Sequence, residues 1–300
     1  MRRDRTLTNG GNMGKIILVA ESGSDIKPDQ RDRYGIRIVP MHVIFGSDSR
    51  EDGTFPPSAV IDYFRKTRKI PTTSGAMVYD FTRTFDEILA AEPDASVLHI
   101  GYSAVTTCSY DCARQAAESR PQLPFSQVDT GMFSYGQYSV VIRMADQLEQ
   151  HPEWTLEDSR RAAQEMIDHS CMAFVPDGFD FLKASGRIRN AAAIAGALLK
   201  IHPRVDQVNG YLVAGKKYRG SMSRVIPAMI RDFVDDYQTD RPEIWFGHTP
   251  EFADELRKIA EDTVRELGFT KIHWIACGSV ITSKGGTGCF GLSGFGKKRR

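Results

Sequence analysis

The amino-acid sequence predicts an α/β protein whose first half builds a mostly parallel sheet and whose second half forms a further α/β unit. Three observations support this. Apolar runs of strand length alternate with segments whose apolar residues recur at threes and fours, the rhythm of βαβ units. At 300 residues, 41% of them hydrophobic, the chain can bury one large core or two modest lobes. Ser, Thr and Gly gather directly after the predicted strands, at the edge where open α/β sheets bind ligands.

In chain order, strands are predicted over residues 15–20, 36–45, 96–102 and 125–128. Between them, Val78, Phe81, Phe85, Ile88 and Leu89 form one helical stripe, and Val140, Val141, Met144 and Leu148 form another. Both stripes read as packing faces. The boundary between lobes is expected near His169, which gives a first lobe over residues 14–168, a second over 169–296, and tails over 1–13 and 297–300. The second half opens with a strand at 172–175 and an alanine-rich helix at 191–199, followed by a strand at 211–214 and a helix through Val225, Ile230, Phe233 and Val234. It closes with a strand at 244–247, a helix through Phe252, Leu256, Ile259 and Val264 stopped by Gly268, and strands at 272–277 and 280–282.

Composition narrows the function. A formal net charge of +1 with 26% charged residues lacks the basic stripe of a nucleic-acid binder. The longest apolar runs fall well short of the roughly 20 residues of a membrane span. Residues 1–13 are polar, carry Arg2, Arg3 and Arg5, and contain no apolar stretch of secretory length, so a frayed tail and a cytoplasmic protein are expected. Five cysteines, an odd number without regular spacing, fit reduced thiols. Cys108 and Cys112 stand four apart but lack a second ligand pair, so they read as buried thiols and no metal is expected. No G-x-x-x-x-G-K-[ST] loop occurs, so any phosphoryl transfer would come from another protein. Gly286-Thr287-Gly288-Cys289-Phe290-Gly291 spells G-x-G-x-x-G, but no helix, second strand and acidic residue have room to follow it, and it reads as a tight turn.

Four hydroxyl-rich loops remain: Glu21-Ser22-Gly23-Ser24-Asp25, Thr72-Thr73-Ser74-Gly75, Ser103 with Thr106, Thr107 and Ser109, and Asp129-Thr130-Gly131. Any one of these hydroxyls is explained as a helix cap. Together, at one sheet edge, they form a set of O–H and N–H donors suited to a carboxylate or phosphate. No His or Cys nucleophile–base pair stands near these loops, and Ser103 is not in a G-x-S-x-G elbow, so no catalytic residue is assigned.

The loop after the first strand, the Tyr34-Gly35-Ile36 to Val39-Pro40 stretch, Asp52-Gly53, Pro71-Thr72-Thr73-Ser74, the Ser103 segment, Val128-Asp129-Thr130, Phe181-Leu182-Lys183-Ala184-Ser185-Gly186-Arg187-Ile188 and the glycine-rich end, in this order, resemble the DegV family over residues 14–296. That resemblance implies a two-lobed α/β fold holding a long-chain fatty acid between its lobes, without a cofactor. It also implies a partner fatty acid kinase that phosphorylates the bound carboxyl to an acyl phosphate, which makes this chain the non-catalytic carrier. By position it marks Ser22, Thr72, Thr73, Ser74, Ser103 and Thr107 as ligands of the carboxylate, and Arg219 and Arg187 as basic residues near the mouth or facing a partner.

The sequence departs from the family pattern at several places: Glu21 for Asp, Gly75 for Gln, Ala104 for Ser, Thr107-Cys108 for Ser-Gly, and Ser185-Gly186 for a double glycine. Where the family carries a His and Gly-Pro-Gly, this chain has Lys284 followed by Gly286-Thr287-Gly288. Lys284 is accordingly expected to pair with the carboxylate as a fixed ammonium. Two other readings compete: an enzyme acting on a small anionic or acyl substrate at the same loops, and a regulatory protein docking a partner through Arg187 and the basic tail.

Overall fold

The computed structural model describes residues 14–190 and 201–297. The first lobe runs β1 (Ile16–Glu21), a 3-10 turn (Ser22–Ser24), α1 (Pro28–Tyr34), β2 (Arg37–Val39), β3 (His42–Phe45), β4 (Asp48–Glu51), α2 (Ser58–Thr67), β5 (Thr72–Ser74), α3 (Val78–Ala91), β6 (Ser96–Gly101), α4 (Ser109–Glu118), β7 (Phe125–Asp129), α5 (Ser134–Gln150) and α6 (Leu156–His169). The second runs β8 (Ser170–Val175), α7 (Asp180–Ser185), β9 (Ile201–Val208), β10 (Tyr211–Arg219), α8 (Met222–Tyr237), β11 (Glu243–His248), α9 (Asp254–Glu266), β12 (Lys271–Ala276), α10 (Ser279–Gly285) and β13 (Phe290–Phe295).

The first-lobe sheet is parallel, in the order β2-β1-β6-β7, with Val19 set between Arg37 and His99. A small antiparallel sheet, β4-β3-β5, stands beside it and places His42 between Glu51 and Ser74. The second lobe is a six-stranded mixed sheet, β10-β9-β8-β13-β11-β12.

Helix α5 joins the lobes. Its first two turns, Ser134 to Val141, are buried on every side, with Gln137 turned to Glu21 and the Ile100 carbonyl, so the helix lies between the sheets. It touches β1 and β6 on one side and β8, β11 and β13 on the other. Tyr135 enters the second sheet over a saddle of two glycines: Gly247 and Gly291 are opposite one another in β11 and β13, and a Cβ on either would overlap the tyrosine ring.

Four expectations need correction. Residues 36–45 are not one strand: the chain breaks at Pro40 into β2 and β3, which belong to different sheets, and Met41 N–H donates to Ser22 Oγ at 3.0 Å instead of to a ladder. Residues 280–282 are helical, within α10. Their β-branched side chains favour strand, but Asp25 and Asp52 from the other lobe accept the N–H groups of Gly278, Ser279 and Val280 and cap the helix. Thr72-Thr73-Ser74 forms a short edge strand and not a loop. Cys108 is exposed, although Cys112 is buried.

Three strands, β4, β9 and β13, carried too little signal to expect. In β9, the charged Arg204 and Asp206 are buried because they pair with each other at 3.0 Å and with Asp236 and Tyr237. In β13, the glycines read as turn residues. The helix expected at 191–199, residues 1–13 and the last three tail residues lie outside the described residues.

Candidate functional site

The carboxyl edge of the parallel sheet faces the second lobe across a cavity of about 810 Å³ of atom-free space, including its open mouth. From the first lobe, Met41, Thr73, Gly75, Tyr102, Thr106, Thr107, Phe133 and Tyr135 line it. The second lobe contributes Phe174, Leu182, Leu212, Val280, Ile281, Cys277 and Cys289, with Thr249 and the basic pair Arg187 and Lys284. The wall is largely aliphatic and aromatic, with hydroxyls and two cations as its polar features.

Lys284 stands in the last turn of α10, where the helix C-terminus favours a cation. It is partly buried, and among the described residues no carboxylate or carbonyl meets its ammonium. Burial, and then the neighbouring Arg187, bring its pKa down from 10.5 to about 8. The Arg187 guanidinium donates to two neutral carbonyls, those of Thr106 and Ser185, each at 3.2 Å. No Asp or Glu lines the cavity among the described residues, so neither positive charge is neutralised there.

The opposite end of α10 has the reverse character. Asp25 Oδ1 accepts from Gly278 N–H at 2.8 Å, while its Oδ2 accepts from Ser134 Oγ. Asp52 Oδ1 accepts from Ser279 and Val280 N–H at 3.0 and 3.3 Å, and its Oδ2 accepts from Ser22 Oγ at 2.8 Å. Two first-lobe carboxylates thus hold the second-lobe helix that carries Lys284. Desolvation, with Asp52 close by, pushes the Asp25 carboxyl up to about 8, and burial raises Asp52 as well.

Of the residues marked from the sequence, the structure brings Thr73, Thr107, Arg187 and Lys284 to the cavity wall. Thr107 Oγ1 also shares a hydrogen bond with Ser109 Oγ at 3.0 Å. The others lie off it. Ser22 is engaged by Asp52 and Met41, Thr72 is exposed on β5, and Ser74 Oγ donates to Gly75 O at 3.1 Å. Ser103 is fully buried and donates to Gly210 O at 2.8 Å, so it ties one lobe to the other. Arg219 is exposed at the end of β10. Sequence reasoning did not single out Tyr102, Phe133, Tyr135, Cys277 or Cys289. Asp25 and Asp52 stood in the motifs without a role.

The G-x-G-x-x-G letters form a helix-to-strand turn from α10 into β13, with Gly286 and Gly288 at φ of +69° and +65°. A dinucleotide turn runs the other way, from strand to helix. One group of metal-ligand type occurs among the described residues, His42 with Glu51 and Asp80, but Glu51 is already paired with Arg83 at 3.0 Å. No described helix is long and apolar enough to cross a membrane.

Comparison with known proteins agrees with this architecture. A family model described as an uncharacterised protein of the DegV family matches residues 15–297. A DegV domain-containing protein of Streptomyces coelicolor is 26% identical over 281 residues, covering 92% of this chain and 97% of that protein. Among solved structures, a DegV family protein from Thermus thermophilus, described for its fatty acid binding, superposes with a TM-score of 0.84 at 26% identity over 94% of this chain and all of that one. A DegV family protein from Eubacterium eligens loaded with heptadecanoic acid has the same fold, with a TM-score of 0.78 at 19% identity over 94% of this chain and 100% of that one. This chain belongs to the DegV family.

Proposed function

We propose that the protein binds one long-chain fatty acid in the cavity between its lobes, which we divide at His169, and presents the carboxylate to a partner fatty acid kinase. The tail would lie along the apolar wall, and the carboxylate would meet Lys284, with Arg187, Thr73 and Thr107 close by. The observation that carries this reading is the pair of cations, with no Asp or Glu beside them among the described residues, on the wall of a largely apolar cavity. The fatty acid binding described for the Thermus thermophilus relative supports it.

The energetics divide between the two ends of the ligand. Each methylene removed from water contributes about 0.8 kcal/mol, so a 16-carbon tail supplies on the order of 10 kcal/mol before ordering costs. The head group fixes orientation. A bound carboxylate would return Lys284 toward its ordinary protonation, because it supplies the counter-charge that the described wall residues do not.

Carriage without catalysis fits the residues at hand. The sequence holds no phosphate-binding loop, so an acyl phosphate would need ATP delivered by the partner. The five free cysteines suit a reducing, cytoplasmic setting.

Titration of a fluorescent long-chain fatty acid against Lys284→Ala, repeated across a salt series, tests the head-group assignment. We expect about ten-fold weaker binding, roughly 1.4 kcal/mol, and a flatter salt dependence. Unchanged affinity at every salt concentration would remove Lys284 from the carboxylate site.

A further inference from the structure

We propose that Lys284 also captures long-chain fatty aldehydes as an imine, so that the cavity takes a carbonyl head group as well as a carboxylate. This rests on reading the cavity as a long-chain acyl site.

Three observations lead to it. The Lys284 amine is on the cavity wall, partly buried, and no Asp or Glu among the described residues lines that wall to hold it as a salt bridge. A lysine desolvated in an apolar pocket beside another cation is the arrangement that turns an ammonium into a nucleophilic amine, and Arg187 is that second cation. With its pKa near 8, roughly a tenth of Lys284 is neutral at pH 7, about two orders of magnitude more than of an exposed lysine. The other nucleophiles on the wall are silenced. Burial raises Cys277 well above its ordinary value and Cys289 to about 12, so both stay protonated.

The chemistry balances without a further reagent. The Nζ lone pair forms a C–N bond to the aldehyde carbon as the carbonyl π bond opens, and the proton leaving nitrogen goes to the oxygen. The carbinolamine then expels that oxygen as water while nitrogen forms the C=N bond. Amine plus aldehyde give imine plus water, with no change of oxidation state. The apolar wall would select a long alkyl chain, and the partial exclusion of water would slow hydrolysis of the imine.

The full-length protein, first shown to bind or not to bind a fluorescent fatty acid, is incubated with hexadecanal or butanal in the presence of cyanoborohydride, which reduces any imine to a stable secondary amine. Intact mass and peptide mapping then locate the adduct. We expect one hexadecyl group per chain on Lys284, formed at least ten-fold faster than the butyl adduct and suppressed by excess palmitate. In Lys284→Arg the stoichiometric adduct should disappear; should that variant fail to fold, the wild-type peptide map and the palmitate competition decide.

Label spread over the exposed Lys66, Lys217 and Lys258 with Lys284 unmodified would overturn the proposal. So would butanal reacting at Lys284 as fast as hexadecanal. A protein that binds the fluorescent fatty acid yet leaves Lys284 unlabelled would overturn aldehyde capture alone. A protein that does neither would overturn the acyl-site reading, and aldehyde capture with it.

Discussion

Glu21 and Lys284 are both ionisable side chains set in apolar surroundings, but the protein meets the charge of only one of them. Glu21 is fully buried at the end of β1, where His99 Nε2 lies 3.2 Å from one oxygen while Tyr102 N–H and Gln137 Nε2 donate to the other at 3.0 and 2.8 Å. Burial acts to raise its pKa, but the His99 charge and these hydrogen bonds outweigh it and hold the carboxyl below its ordinary value. Among the described residues Lys284 meets neither counter-charge nor hydrogen-bond acceptor, and its pKa has yielded to burial. A satisfied buried charge fastens a fold, whereas one at a cavity wall with no described partner is suited to meet the opposite charge of a bound molecule. Burial therefore serves opposite ends, and the partners decide which.

The largest effect that would test this contrast is on Glu21. Replacement by Ala strands His99, Gln137 and the Tyr102 N–H together in the core, and urea unfolding should show a loss of about 3–5 kcal/mol. A loss under about 1 kcal/mol would mean that the cluster is not the structural anchor described here.

Next in size is Asp25. Its folded pKa, near 8, lies above its ordinary 3.8, so the folded state retains a proton that the unfolded state has released. The Asp25 contribution to stability therefore falls as pH rises from about 4 to about 8 and is level above that. Asp25→Asn should remove the fall while keeping an acceptor for Gly278 N–H. The variant should gain on the wild type between pH 5 and pH 8, by about 1–3 kcal/mol at the upper end, as read from urea midpoints. Parallel profiles would place the titration elsewhere.

Arg187 should give the smallest effect. It is exposed and already donates to two carbonyls, so Arg187→Ala should weaken fatty acid binding only about three-fold and alter stability by under about 1 kcal/mol. If it weakened binding more than Lys284→Ala does, the order of the two cations at the head group would be reversed.

What the sequence reveals follows the range of the forces involved. Strands β1 and β6 and helices α3, α8 and α9 are legible because their apolar patterns are local and strongly periodic. Helix α10 is not, because its caps come from Asp25 and Asp52, more than 200 residues away in the chain. Strand β13 is not, because Gly291 looks like a turn residue until Tyr135 is found resting on it.

The candidate site divides in the same way. The hydroxyl-rich loops and their edge of the sheet are evident from composition and order. Tertiary packing decides which hydroxyls face the cavity, as at Thr73 and Thr107, and which are consumed in tying the lobes and their loops, as at Ser103 and Ser22. The two functions need the same side chain, and spacing alone does not separate them. Lys284 stood out from the sequence as a departure from the family pattern, but that no described residue neutralises it is a property of the folded wall.

The proposed function stands or falls with one long acyl chain in the cavity. Native mass spectrometry of the purified protein, followed by denaturing extraction and lipid analysis, tests it most directly. The prediction is one equivalent of a long-chain fatty acid, released on unfolding. A protein that is empty on purification and also refuses added long-chain fatty acids would contradict the claim.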